Sequence, residues 1–239
     1  MASSSGTSEG FTPAHRVVGR IAALSVFVLG VAYAIVTALG FLSLESPGDP
    51  IGYPYVTLME LLILPLAALY LVAMVAVHGY ARPGVRVYGL IALVFMTVLA
   101  AVTTAVHFVV LTVGPRLEAT GLEWVPLVVS FTWHSMVYAL DILAWDWFFA
   151  LSLLFASLVF TEGRLERAVR VLLIASGLLS LAGLAGVPLA DMGVRNVGVI
   201  GYAVVAPVAF LLIGILFGRP RASPDTVDHG RDTHTPARP

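Results

Sequence analysis

A chain of 239 residues that is 59% hydrophobic and only 11% charged stands far from the soluble norm of roughly one quarter charged, and reads as a membrane protein. A net charge of −1 leaves no positive excess with which to bind nucleic acid. Cysteine and lysine are both absent, all 13 basic residues being arginine, which removes disulfides, thiolate nucleophiles, iron–sulfur clusters and Schiff-base chemistry.

Residues 1–20 begin small and polar without hydrophobic periodicity and are expected to form a disordered N-terminal tail. They do not read as a signal peptide, because Arg16 and Arg20 lead into a full-length apolar run rather than a short one ending at a cleavage site. Six apolar segments follow at 21–42, 55–77, 87–113, 137–160, 169–187 and 197–217, each near the ~20 residues that a helix needs to cross hydrocarbon. The predicted fold is therefore an all-α polytopic membrane protein, a six-helix transmembrane bundle over 21–217. Proline and glycine punctuate its linkers: Pro47, Gly48, Pro50, Gly52 and Pro54 between the first two spans, Arg82-Pro83-Gly84 after the second, Gly114-Pro115 after the third. The stretch from Trp124 to Ser135 is surplus to span 4 and suits a short interfacial helix, with Trp124 and Trp133 in the aromatic belt. Span 5 is crowded with small residues from Ala175 to Gly186, which marks a close-packing helix. Residues 218–239 are polar and proline-rich and read as a disordered C-terminal tail, in which His229 and His234 are most simply solvated chain.

Arginine placement orients the bundle. With the N-terminus inside, eleven arginines fall on the cytoplasmic side and only Arg116 and Arg195 on the outer side, so both termini are expected in the cytoplasm of a plasma-membrane protein.

Against this apolar background the ionisable residues inside the spans are costly and point to function. Counting helix rise inward from the outer ends, Glu60 lies ~8 Å deep, His107 ~9 Å, Asp141 ~6 Å and Asp146 ~14 Å, with His134 at the boundary. Three residues from three spans thus share one depth, lined by Tyr138 and Trp145 on the stripe of Asp141. In a regular helix Asp146 would project about 140° from Asp141, so each carboxylate should find its partner on a neighbouring span.

Three readings follow. The favoured one is a pocket open to the outer side that binds or translocates a small molecule or protons, with Glu60, His107, Asp141, Asp146, Tyr138 and Trp145 as its residues. An alternative is an intramembrane metal-dependent hydrolase, with zinc or iron held by His107, His134, Asp141 and Glu60, although no fixed-spacing signature such as HExxH accompanies them. The third is a purely structural or interaction protein whose polar residues only bond across helices. No cofactor is expected outside the hydrolase alternative. The run from Ala144 to Phe148 (AWDWF) resembles a short stretch of the counter-ion helix of microbial rhodopsins, but a chain without lysine cannot form their retinal Schiff base. Bis-histidine haem ligation is not simple either, since His78 and His107 fall near opposite boundaries.

Overall fold

The structure, a computed structural model, describes residues 11–46 and 51–219; the tail histidines His229 and His234 lie outside them. Six helices are long and apolar enough to cross a membrane, and no strand occurs among the described residues. Span 1 is Pro13–Leu42, span 2 Tyr55–Tyr80, span 3 Arg86–Thr112, span 4 Met136–Ser157, span 5 Gly163–Leu189 and span 6 Met192–Gly218. The chain is a multi-pass membrane protein built as an all-α six-helix bundle. Each span packs against its neighbours in sequence, and span 6 closes the ring against span 1. The two described chain ends and the 81–85 and 158–162 connections share one end, called here the terminal end; the 113–135 connection marks the opposite, loop end.

Helices start where side chains satisfy their first N–H groups. Thr12 caps span 1 by accepting from the His15 amide at 3.3 Å, with Pro13 as the first helical residue. Ser135 caps span 4 by accepting from the Tyr138 amide at 3.2 Å, and Asp191 caps span 6 by accepting from the amides of Gly193 and Val194. These caps explain why spans 1 and 6 begin earlier than hydropathy alone implies. The helix from Pro13 takes in Arg16 and Arg20, which were assigned to the tail, and the Asp191 cap draws Arg195 into span 6. Span 5 likewise begins at Gly163, so Arg164, Arg167 and Arg170 ride on its first turns. The surplus stretch before span 4 is helical only over Val125–Val129 and is preceded by a second short helix at Gly114–Glu118.

The interior is tightly apolar. Tyr70, Met74, Met96, Leu99, Phe149 and Phe210 are fully buried, while Val28, Ile35, Val94, Leu178 and Val204 are more than half exposed on the outside, a surface suited to lipid rather than water. Spans 5 and 6 meet backbone to backbone: a Cβ on Gly183 would stand 2.8 Å from the Cα of Gly198. Small residues permit that approach. At the terminal end Tyr80 donates to Glu166, whose other oxygen accepts from the amides of Thr161 and Glu162, and Arg82 pairs with Glu162.

Spans 4 and 6 share a departure from regular geometry. Span 4 changes from α to π over Leu143–Phe149, and span 6 does so over Ile200–Val205. A π turn bonds residue i to i+5 and recurs at functional sites. Both π segments border the buried polar residues described next.

Candidate functional site

Glu60, His107 and Asp141, placed at a common depth on spans 2, 3 and 4, meet in the loop-end half of the bundle. His107 lies between the two carboxylates: its Nδ1 is 2.7 Å from Glu60 Oε2 and its Nε2 is 3.2 Å from Asp141 Oδ1. Phe131, on the 113–135 connection, stacks on the imidazole at 5.2 Å between ring centroids. Glu60 and His107 are each 4% exposed, whereas the Asp141 side chain retains 13%. An imidazole with a carboxylate oxygen at each ring nitrogen can donate to both only when both nitrogens bear hydrogen. Otherwise one carboxyl must hold the proton.

Asp141 continues the chain of charges to a fourth residue that sequence reasoning misplaced. Arg195 was counted as an outer-loop arginine, but its side chain lies inside span 6, with Nη2 3.6 Å from Asp141 Oδ2 and Nε 3.3 Å from Asp146 Oδ2. The residue is 5% exposed and Asp146 is 0% exposed. These are charge contacts rather than aligned hydrogen bonds, since the same Arg195 and Asp146 atoms find no hydrogen-bond partner. The guanidinium also faces two aromatic rings, Tyr138 at 5.1 Å and Tyr202 at 5.8 Å, a cation–π arrangement that partly replaces hydration.

As the angular argument requires, the two aspartates do not pair with each other and each finds its partner on a neighbouring span: Arg195 of span 6 reaches both. Asp146 sits in the π segment Leu143–Phe149, a local geometry that recurs at functional sites. Gly198 of span 6 leaves the room this needs, because a Cβ there would collide with Asp146 Oδ1.

No protein-family model, curated protein or solved structure matches this chain.

The remaining site residues fall into two groups. Trp145 is 3% exposed and packs on Tyr70, Phe149 and Tyr202 with ring centroids 5.2 to 6.1 Å apart, and Tyr138 is half-buried beneath Arg195. His134 is not part of the site. It is exposed on the connection before span 4 and contacts Trp133. The four-ligand set of His107, His134, Asp141 and Glu60 is therefore not assembled, and His107 already has a carboxylate at each nitrogen. Among the described residues, no group of three or more histidine, aspartate and glutamate side chains is disposed to hold a metal ion.

Arg195 had a signal in the sequence that charge accounting would have found. Three carboxylates inside the spans need counter-charges, His107 supplies at most one, and Arg195 is the basic residue nearest the same depth on another span.

Proposed function

We propose that the protein is a proton-linked membrane protein whose cluster Glu60–His107–Asp141–Arg195–Asp146 takes up, holds and passes on a proton. The observation that carries this reading is the run of five ionisable side chains on spans 2, 3, 4 and 6, four of them buried and Asp141 partly exposed. Its charges do not cancel: three carboxylates face one guanidinium and one imidazole, so even with His107 protonated the cluster carries one excess negative charge. In a low-dielectric site that imbalance favours one more bound proton, shared among oxygens already within reach. A bundle needing only structural bonds would be served by neutral polar residues.

The space beside the cluster favours a proton over a solute. The cavity against Asp141 measures about 20 Å³, far below the roughly 300–1,000 Å³ of an ordinary small-molecule pocket. A small-molecule site would require a wider conformation.

The loop end is read as the outer side and both termini as cytoplasmic, in the plasma membrane. Withdrawal of Arg195 into the bundle strengthens the arginine asymmetry, because Arg116 is then the sole arginine left in the loop-end connections.

The test is proton entry into liposomes holding the purified protein and a trapped pH-sensitive dye, driven by a potassium diffusion potential. The parent is expected to admit protons faster than protein-free liposomes, and Asp141→Asn to lower that rate at least tenfold. Parent flux no greater than in protein-free liposomes, with Asp141→Asn changing only the melting temperature, would overturn the reading in favour of a structural cluster.

A further inference from the structure

At the terminal end the arginines divide into two groups. Arg16 donates to the carbonyls of Phe217 and Arg219, and Arg82 pairs with Glu162. On the first turns of span 5, Arg164, Arg167 and Arg170 have neither kind of partner: among the described residues their side chains make no ion pair and no hydrogen bond. The acids beside them are engaged elsewhere. Glu166 stands four residues before Arg170, a spacing that ordinarily brings side chains together, yet it accepts from the Tyr80 hydroxyl and from the amides of Thr161 and Glu162. Glu162 is held by Arg82. This part of span 5 therefore turns its negative charge into the protein and leaves three positive charges outside it.

Helix geometry places those charges on the lipid side. Residues three apart are offset by about 60° in azimuth and about 4.5 Å in rise, so the three arginines step along one side of the helix. Arg164 and Arg167 are exposed and Arg170 is half-buried. On the same side, deeper in the bilayer, Val171 and Leu178 are 61% and 55% exposed, whereas Val169, Leu173 and Ser176 on the opposite side are buried in the bundle. An apolar track thus leads from three unpaired guanidinium groups toward the bilayer centre. Topology alone asks only that positive charge lie at this end. It does not ask that the neighbouring acids be turned inward and the arginines left facing lipid.

We propose that this face of span 5 binds an anionic phospholipid of the leaflet at the terminal end, its phosphate held by Arg164, Arg167 and Arg170 and an acyl chain laid along Val171 and Leu178. The inference is independent of the proton-linked reading. A guanidinium presents a fork of N–H donors that matches phosphate oxygens two at a time. Arginine can also bury its stem while its charge stays at headgroup level, which suits the half-buried Arg170. A zwitterionic headgroup carries its own ammonium and leaves the three charges uncompensated. A net negative headgroup compensates them, as basic clusters at a membrane boundary do with anionic lipid generally.

The test compares the full chain in neutral detergent with dioleoylphosphatidylglycerol, with dioleoylphosphatidylcholine and with no lipid, by melting curves and by native mass spectrometry of retained lipid. Phosphatidylglycerol is expected to raise the Tm of the parent more than phosphatidylcholine does, to be retained at least tenfold more tightly, and to lose that advantage at high salt. Arg164→Gln/Arg167→Gln/Arg170→Gln is expected to abolish the preference. Arg20→Gln/Arg86→Gln/Arg116→Gln removes the same charge from exposed positions elsewhere and is expected to keep it. If the first triple variant fails to fold, Arg164→Gln/Arg167→Gln carries the test, with at least a threefold loss of preference expected. Equal retention of the two lipids by the parent, an undiminished preference in the folded span 5 variant, or the same loss in the charge-matched control would each overturn the site. Stabilisation by inorganic phosphate as large as that by phosphatidylglycerol would overturn it in favour of a soluble anion. A preference that emerges only when Asp225, Asp228 and Asp232 are replaced by asparagine would assign the face to the chain's own C-terminal segment and overturn it as well.

Discussion

Arg195 is the residue on which the cluster's stability turns. Its guanidinium faces Asp141 and Asp146 in a site that is nearly water-free, so truncation leaves three carboxylates with a single imidazole among them. Removing one member of a buried ion pair costs about 3–5 kcal/mol, because the partner's desolvation is no longer offset. Arg195→Leu is therefore expected to lower the melting temperature in detergent steeply. Asp146→Asn should be milder, on the order of 1–3 kcal/mol, since it removes one acid from a cluster with an excess of acids while retaining a polar group beside Arg195. The double variant Arg195→Leu/Asp146→Asn should recover part of the Arg195→Leu loss, because one of the stranded charges is gone. Melting curves of the two single variants and the double variant decide it. Additive losses would mean that the 3.3 Å contact contributes no coupling.

The π segments in spans 4 and 6 show why part of the site was legible and part was not. Depth along a helix depends on rise, which the π turn scarcely disturbs, so Glu60, His107 and Asp141 were placed together from sequence counting alone. Azimuth depends on the number of residues per turn, and no residue type between Leu143 and Phe149 announces that the ladder shifts to i→i+5. Asp146 does find its partner on a neighbouring span, but which residue meets it could not be read from a regular turn. Arg195 was lost differently: its polar neighbours Asp191 and Asn196 lower the local hydropathy, and the Asp191 cap that starts the helix at Met192 is a hydrogen-bond feature rather than an apolar one. His134 was admitted on spacing from Asp141 along an assumed continuous helix, which Ser135 in fact begins. Two variants test the role of the irregular turn. Deleting Trp147, 43% exposed on the lipid side, removes the extra residue; the flanking α segments can then keep their faces while Asp146 turns away from Arg195. Gly198→Ala reaches the same contact from span 6 by placing a methyl group against the Asp146 carboxylate. Both are expected to abolish proton flux and to destabilise by amounts that do not add, since each breaks one and the same pair. Full flux in the Trp147 deletion would mean that the π turn has no part in positioning Asp146.

At the scale of the whole molecule, the bundle is polar in one half and dry in the other, and the dry half is the one bearing the arginines. The cluster, the cavity and the half-exposed loop aromatics lie toward the loop end, while Tyr70, Met74, Phe149, Phe210 and Ile213 fill the centre beyond them. At the terminal end, Arg16 donates to the carbonyls of Phe217 and Arg219, tying span 1 to span 6, and Arg82 pairs with Glu162 across two connections. Positive charge held at one face resists translocation, so the terminal end should remain in the cytoplasm and the 113–135 connection should face outward, giving the cluster its protons from outside. The absence of cysteine makes this directly measurable on an otherwise unaltered chain. Ala119 lies in the loop-end connection just after the short helix Gly114–Glu118, and Gly84 lies in the exposed turn between spans 2 and 3. A cysteine at Ala119 is expected to react with a membrane-impermeant maleimide in intact cells, and one at Gly84 only after lysis. The reverse pattern would invert the molecule and set the cluster toward the cytoplasm, where it would draw its protons from the inside.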